Sequence, residues 1–349
     1  MTACQARIVR LAAGFLIVAG CSSEAPPPEA STPPEAVNPV IVYTVDGSAA
    51  TSAALDSWRA ASGGAFELVT DDRPEGAPRR QNYSIRSDAD LFVAGSLAEI
   101  WTVAEADALR PVYSDVVEAN VAATFRDPES RWVALSRRAR VVAYNAAQVE
   151  AGELTGVDSY ASLGDERWHG RLCVSSSAVP GNRSLIAFLI GRHGARDAEI
   201  IVRRWRENLA IAYLADDNAL LDAIADGRCG IGIVDSARLA AFAAGNSTAP
   251  VAAHWFADAS NMLTDISAVA ITRHATQPDA ARALLEWLTG TGANALFAGS
   301  RFEFPVKENA ALATAVEAWA GRLPADADYA ELGFLLEEAR LLAERARYP

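Results

Sequence analysis

The chain has 349 residues, a formal net charge of −13, 51% apolar residues and 21% charged ones, the balance of a soluble globular protein. That acidity excludes nucleic acid and anionic lipid surfaces as partners engaged through bulk charge, because both need a basic face. A small ligand stays open, since a local cleft can oppose the global sign.

Reading from the start, Arg7 and Arg10 precede an apolar run from Leu11 to Ala19, with no acidic residue before Glu24. This is the order of a secretory signal, residues 1–20, too short to span a bilayer permanently. Its end, Val18-Ala19-Gly20-Cys21, resembles the bacterial lipobox, which implies cleavage before Cys21 and lipidation of that cysteine. An ordinary cleaved signal with a chance cysteine is the alternative. Residues 21–39 are rich in Pro, Ala and Glu without an aromatic, a composition that stays extended as a tether. The expectation is a periplasmic monomer, anchored by lipid to a membrane of the cell envelope, whose folded part begins near Val40.

From there, short β-branched runs alternate with longer helical patterns. Strands are expected at Val40–Thr44, Phe66–Thr70, Asp90–Ala94, Val141–Tyr144, Arg171–Ser175, Gly230–Asp235 and Ile266–Thr272. Helices are expected at Ala53–Ala61, Leu97–Ala106, Asn182–His193, Asp197–Leu209, Asn218–Asp226, Pro278–Leu288, Ala310–Ala320 and Tyr329–Arg347. The alternation predicts a parallel sheet with crossover helices, and strands that are apolar throughout predict a sheet covered on both faces. Cys4 leaves with the signal, so Cys173 and Cys229 remain in an oxidising compartment, as a disulfide or as two buried thiols. The chain has no G-x-S-x-G, H-E-x-x-H, Walker A or EF-hand pattern. Gly290–Ala295 fits G-x-G-x-x-A but follows a helix, so it reads as a turn between helices. The signal for an enzyme is weak: Ser176 is the one appealing nucleophile, and no His is close to it in sequence.

Residues 126–145, RDPESRWVALSRRARVVAYN, closely resemble the segment that carries ferric-iron ABC-transporter solute-binding proteins from one lobe into the other. The likeness continues through Tyr160–Leu163, Asp165–Leu172, Ser175–Ser177, Ser184–Ile190 and His193-Gly194. It returns in Ala295–Ala298 and in Phe302-Glu303-Phe304-Pro305-Val306. The resemblance implies an α/β periplasmic binding protein of type II, each lobe a mainly parallel sheet flanked by helices, with the ligand in the cleft between lobes. Lobe 1 would be residues 40–138 and 265–349, and lobe 2 residues 139–264. An inner-membrane ABC permease would be the partner, and ligand capture would proceed by hinge closure without catalysis.

Ferric iron, Fe(III), is a hard cation that favours oxygen ligands, which this family supplies as tyrosine phenolates. Tyr43, ending the first strand, and Tyr144, in the crossover, match two such tyrosines; each also reads plainly as a packed strand-end aromatic. The family's adjacent tyrosine pair falls on Ala237 and Arg238, neither suited to hold a metal. The serines that cradle a synergistic anion persist as Ser176 and Ser177, ahead of a helix start. The accompanying asparagines fall on Asp216 and Asp235, which accept hydrogen bonds without donating any. The resemblance thus implies a ligand set of Tyr43, Tyr144, Arg140, Ser176, Ser177, Asp216, Asp235 and Arg238, with Tyr43 and Tyr144 as ligands for Fe(III). A small zwitterion or organic cation fits the same set, its positive group on the carboxylates and its anionic group on Arg238 and the serines. An Asp235–Arg238 ion pair closing a vacated site, and an envelope sensor with a degenerate cleft, are the remaining readings.

Overall fold

The computed structural model describes residues 38–45, 49–70, 88–324 and 327–349; the signal, Cys21 and the tether through Val37 lie outside the described residues. The chain opens with β1 (Val40–Thr44), α1 (Ala49–Ser62), β2 (Phe66–Thr70), β3 (Leu91–Ala94), α2 (Leu97–Glu105) and α3 (Asp115–Asn120). A long β4 (Val133–Asn145) leads to β5 (Leu172–Cys173), α4 (Pro180–Glu207), α5 (Asp217–Ala225), β6 (Ile231–Asp235), α6 (Ser236–Gly245) and β7 (Val251–His254). The return passes through β8 (Thr264–Ile271), α7 (Pro278–Leu288), α8 (Thr291–Ser300), β9 (Phe304–Pro305), α9 (Thr314–Glu317), α10 (Tyr329–Phe334) and α11 (Leu336–Ala346).

The strand order is β2-β1-β3-β8-β4-β6-β5, with β7 and β9 also on β4. β1 lies parallel between β2 and β3, and β5 is parallel to β6; the crossover strands β4 and β8 run antiparallel. β4 changes partner along its length, from β8 up to Ala139 to β6 from Arg140 onward. It is the strand on which the two half-sheets meet. The apolar strands are buried between flanking helices, so their side chains leave water on both faces, the main favourable term in folding.

Most expected elements are present, with instructive differences. Val141–Tyr144 is the longest apolar run of β4; Ser136, Arg137, Arg138 and Arg140 interrupt the rest of its thirteen residues. The two expected helices at 182–209 are the arms of α4, joined at Gly194, whose φ of 77° needs a glycine. The expected helix Tyr329–Arg347 divides at Leu335 into α10 and α11, and Ala310–Ala320 shortens to α9. Gly290 is the turn between α7 and α8.

Cys173 and Cys229 form a disulfide, with Cα atoms 5.8 Å apart, tying the end of β5 to the approach of β6. Opposite Cys173 sits Gly232. A Cβ there would lie 2.8 Å from the Cys173 carbonyl oxygen and 2.7 Å from Leu220 Cδ2, so this pairing requires a residue without one.

Candidate functional site

Parallel β5 and β6 end on the same edge, the place where open α/β sheets bind ligands. Beyond β5 the chain turns through Ser175–Ser177 into α4; beyond β6 it turns at Asp235 into α6. Asp235 caps α6, its Oδ1 accepting the Ala237 amide at 2.8 Å.

Beneath these turns lies a buried polar node. Arg140, 1% exposed, donates through Nη1 to Asp217 Oδ2 and through Nη2 to Asn182 Oδ1 at 2.5 Å. Asp217 also accepts the Asp235 amide and the Ser175 hydroxyl, each at 2.8 Å. Asn182 Nδ2 donates to the carbonyls of Ser175 (3.1 Å) and Ser176 (2.9 Å). Burial alone pushes the Asp217 carboxyl up, but Arg140 and the other donors outweigh it and hold it below the usual carboxylate range. Arg140 thereby fixes α4, α5 and β6 upon β4. Asp216, half-buried, caps α5 by accepting the Ala219 amide at 2.8 Å, while its neighbour Asp217 takes the buried charge.

Two positions earlier on β4, Arg138 organises a second buried cluster. Its Nε donates to Asp235, its Nη1 to Ser267 Oγ at 3.1 Å and Glu303 Oε1 at 3.4 Å, and its Nη2 to the Gly95 carbonyl. Gly95 follows β3 and Asp235 ends β6, so one guanidinium joins the two half-sheets. Glu303 is further held by Arg301 Nε at 3.2 Å and by Ser136. Burial presses on it, yet Arg301 and Arg138 hold its carboxyl below the usual range. Asp265, opposite Arg138 in the β4–β8 register, accepts the Leu97 amide at 2.8 Å through Oδ1. Its Oδ2 is buried without a hydrogen-bond partner, 3.8 Å from Arg138 Nη2. Burial pushes the Asp265 carboxyl up despite Arg138. Arg138, 97 positions away in sequence, is thus a charge partner of Asp235.

The two candidate tyrosines stand on different strands, Tyr43 on β1 and Tyr144 on the part of β4 that pairs with β6. Tyr43 is buried near the end of β1, its ring centroid 6.0 Å from that of Phe92. Tyr144 pairs with Ile231 at the start of β6, four residues beyond the Arg140–Asp235 pair, roughly 13 Å along the strand at 3.3 Å per residue. That places it away from the edge where Asp235 and the serines stand. Arg238 is half-buried in the first turn of α6. Ser176 and Ser177 stand before α4 and engage the segment Tyr348–Pro349. Among the described residues, no group of three or more His, Cys, Asp or Glu is placed to hold a metal.

Asn182, Asp217, Arg138 and Asp265 are absent from the expected ligand set. A signal for the arginines was available: Arg138 and Arg140 are two apart on a strand and so share a face.

A family model described as bacterial extracellular solute-binding protein matches residues 102–331. The chain is 25% identical over 300 residues to Iron uptake protein A1 of Synechocystis, covering 84% of this chain and 82% of that protein. The solved structure of Trichodesmium IdiA/FutA in complex with iron and citrate ligands shares its fold with a TM-score of 0.78 and 25% identity, covering 89% of this chain and all of that one. Apo ferric ion-binding protein A of Pasteurella haemolytica gives 0.78 at 23% identity, covering 89% and 98%. The chain shares the two-lobed α/β architecture of these periplasmic proteins.

Proposed function

We propose that this chain, which belongs to the bacterial extracellular solute-binding protein family, captures ferric iron outside the cytoplasm and delivers it to an inner-membrane ABC permease. The observation that carries this reading is similarity along most of the folded chain to a protein named for iron uptake and to a structure holding iron and citrate. Residues 40–138 and 265–349 act as one lobe and 139–264 as the other. The crossovers β4 and β8 flex between them as the lobes close on the ligand. Cys21 carries the lipid that keeps the protein at the membrane, and the protein acts as a monomer without catalysis.

The donor set refines the form of the cargo. Asp235 and Glu303 are bound to Arg138, so a bare ferric ion meets neutralised carboxylates beside a fixed positive charge. A ferric ion accompanied by a polycarboxylate such as citrate brings its own hard oxygen ligands. Its negative charge suits the Ser176–Ser177 start of α4, with Arg238 and Asp235 at the start of α6 across from it. In this reading Tyr43 supplies the phenol that completes such a sphere. An iron-free organic anion is the second reading, favoured by the fixed positive charge of Arg138 at Asp235.

Thermal-shift titration of the full chain separates them. A ligand at 100 times its dissociation constant adds about 2.7 kcal/mol, roughly 4 °C for a chain of this size. Ferric citrate should shift the melt and iron-free citrate should not. An equal shift from both supports the second reading, and no shift from either rejects the site.

A further inference from the structure

The segment that follows α11 occupies the donors that an anionic ligand needs. Arg203 Nη2 holds the Arg345 carbonyl at 2.8 Å and Arg206 Nη1 the Ala346 carbonyl at 3.4 Å, so α11 is seated along the second arm of α4. Arg347 then adopts a left-handed backbone, φ 55°, and turns the chain back. Tyr348 is buried, its amide bonded to the Ala343 carbonyl at 2.9 Å. Its hydroxyl donates to the Ser175 carbonyl at 2.6 Å, and its ring stacks on Tyr213 with centroids 5.1 Å apart. Beyond it the Pro349 carbonyl accepts both the Ser177 amide (2.6 Å) and the Ser176 hydroxyl (2.7 Å). The Tyr348 carbonyl takes the Ser177 hydroxyl at 3.0 Å.

Two convergent donors on one oxygen, at the start of a long helix, are the arrangement that receives a carboxylate or phosphate oxygen. Here the main-chain oxygen of Pro349 stands in for that oxygen. We propose that Arg347–Pro349 is a built-in occupant of the Ser176–Ser177 cradle, and that an oxyanion-bearing ligand binds by displacing it. The inference rests on the reading of this edge as the ligand site. Pro349 is exposed whereas Tyr348 is buried, so Pro349 can leave the serines before Tyr348 leaves its pocket. A competitor held in place lowers apparent affinity by the fraction of molecules whose cradle is open, which sets a threshold for ligand capture.

The test is calorimetric titration of citrate, ferric citrate and inorganic phosphate into the full chain, the chain lacking residues 348–349, and Tyr348→Phe. If the segment fills the cradle about nine-tenths of the time, deleting it tightens oxyanion binding about tenfold. Tyr348→Phe keeps the ring and loses the bond to Ser175, so it moves affinity the same way by less and guards against a truncation that fails to fold. Adding Ser176→Ala to the deletion should remove the gain. Equal affinities in the wild type and both variants overturn the proposal. Amide exchange at Tyr348 separates this outcome from the underlying reading. If ferric citrate binds while the Tyr348 amide stays protected, the segment is merely structural and iron capture stands. Binding of none of the three probes to any of the proteins overturns both.

Discussion

Replacing Asp217 by alanine leaves Arg140 charged, buried and without its carboxylate. Arg140 is 1% exposed and Asp217 2%, and removing one partner of such a pair costs about 3–5 kcal/mol. The compact unit spans residues 38–349, for which the usual entropy of unfolding is roughly 0.65 kcal/mol/K, so Asp217→Ala should lower Tm by roughly 5–8 °C in scanning calorimetry. Asp216→Ala removes only a helix cap, about 1 kcal/mol or roughly 1.5 °C. The pH dependence has a definite sign. The folded carboxyl of Asp217 lies below its ordinary value, so its contribution is complete above the unfolded aspartate pKa of about 3.9 and fades as pH falls through the folded one. The gap between wild type and Asp217→Ala should therefore narrow below about pH 4. An Asp216→Ala variant as damaging as Asp217→Ala, or a gap that widens on acidification, would refute the reasoning.

Other expectations follow from the same geometry. Removing the Cys173–Cys229 bridge, with its sequence separation of 56, should cost about 4 kcal/mol by loop-closure entropy; denaturant melts of the double serine variant check it, and an unchanged midpoint contradicts it. Gly232→Ala drives a methyl into the Cys173 carbonyl and should destabilise by about 1–3 kcal/mol, read in the same melts. Tyr144→Phe should leave ferric citrate affinity unchanged while Tyr43→Phe weakens it, measured by titration; the opposite order would restore Tyr144 to the site.

Strands such as Val40–Thr44 and Gly230–Asp235 are legible in the sequence because their burial is written in contiguous apolar residues. β4 is only half legible, because Arg138 and Arg140 are buried by partners far along the chain, and no local pattern announces a charge that is paired across 97 or 77 positions. The separation of Asp216 from Asp217 turns on a one-residue difference at a helix cap, beyond the reach of an alignment at this similarity. Which end of β6 Tyr144 meets is set by strand register, which no local pattern states. The seating of Tyr348 on Ser175 spans 173 positions and is a matter of how α11 packs on α4. The serines themselves were legible, since they stand just before a helix start.

The most direct measurement is equilibrium dialysis of the full chain against ferric citrate, with iron and citrate counted per protein chain. The account requires one iron retained together with citrate, and loss of both when Ser176 and Ser177 are replaced by alanine. A chain that retains no iron under these conditions, or retains it without an accompanying anion, would contradict it.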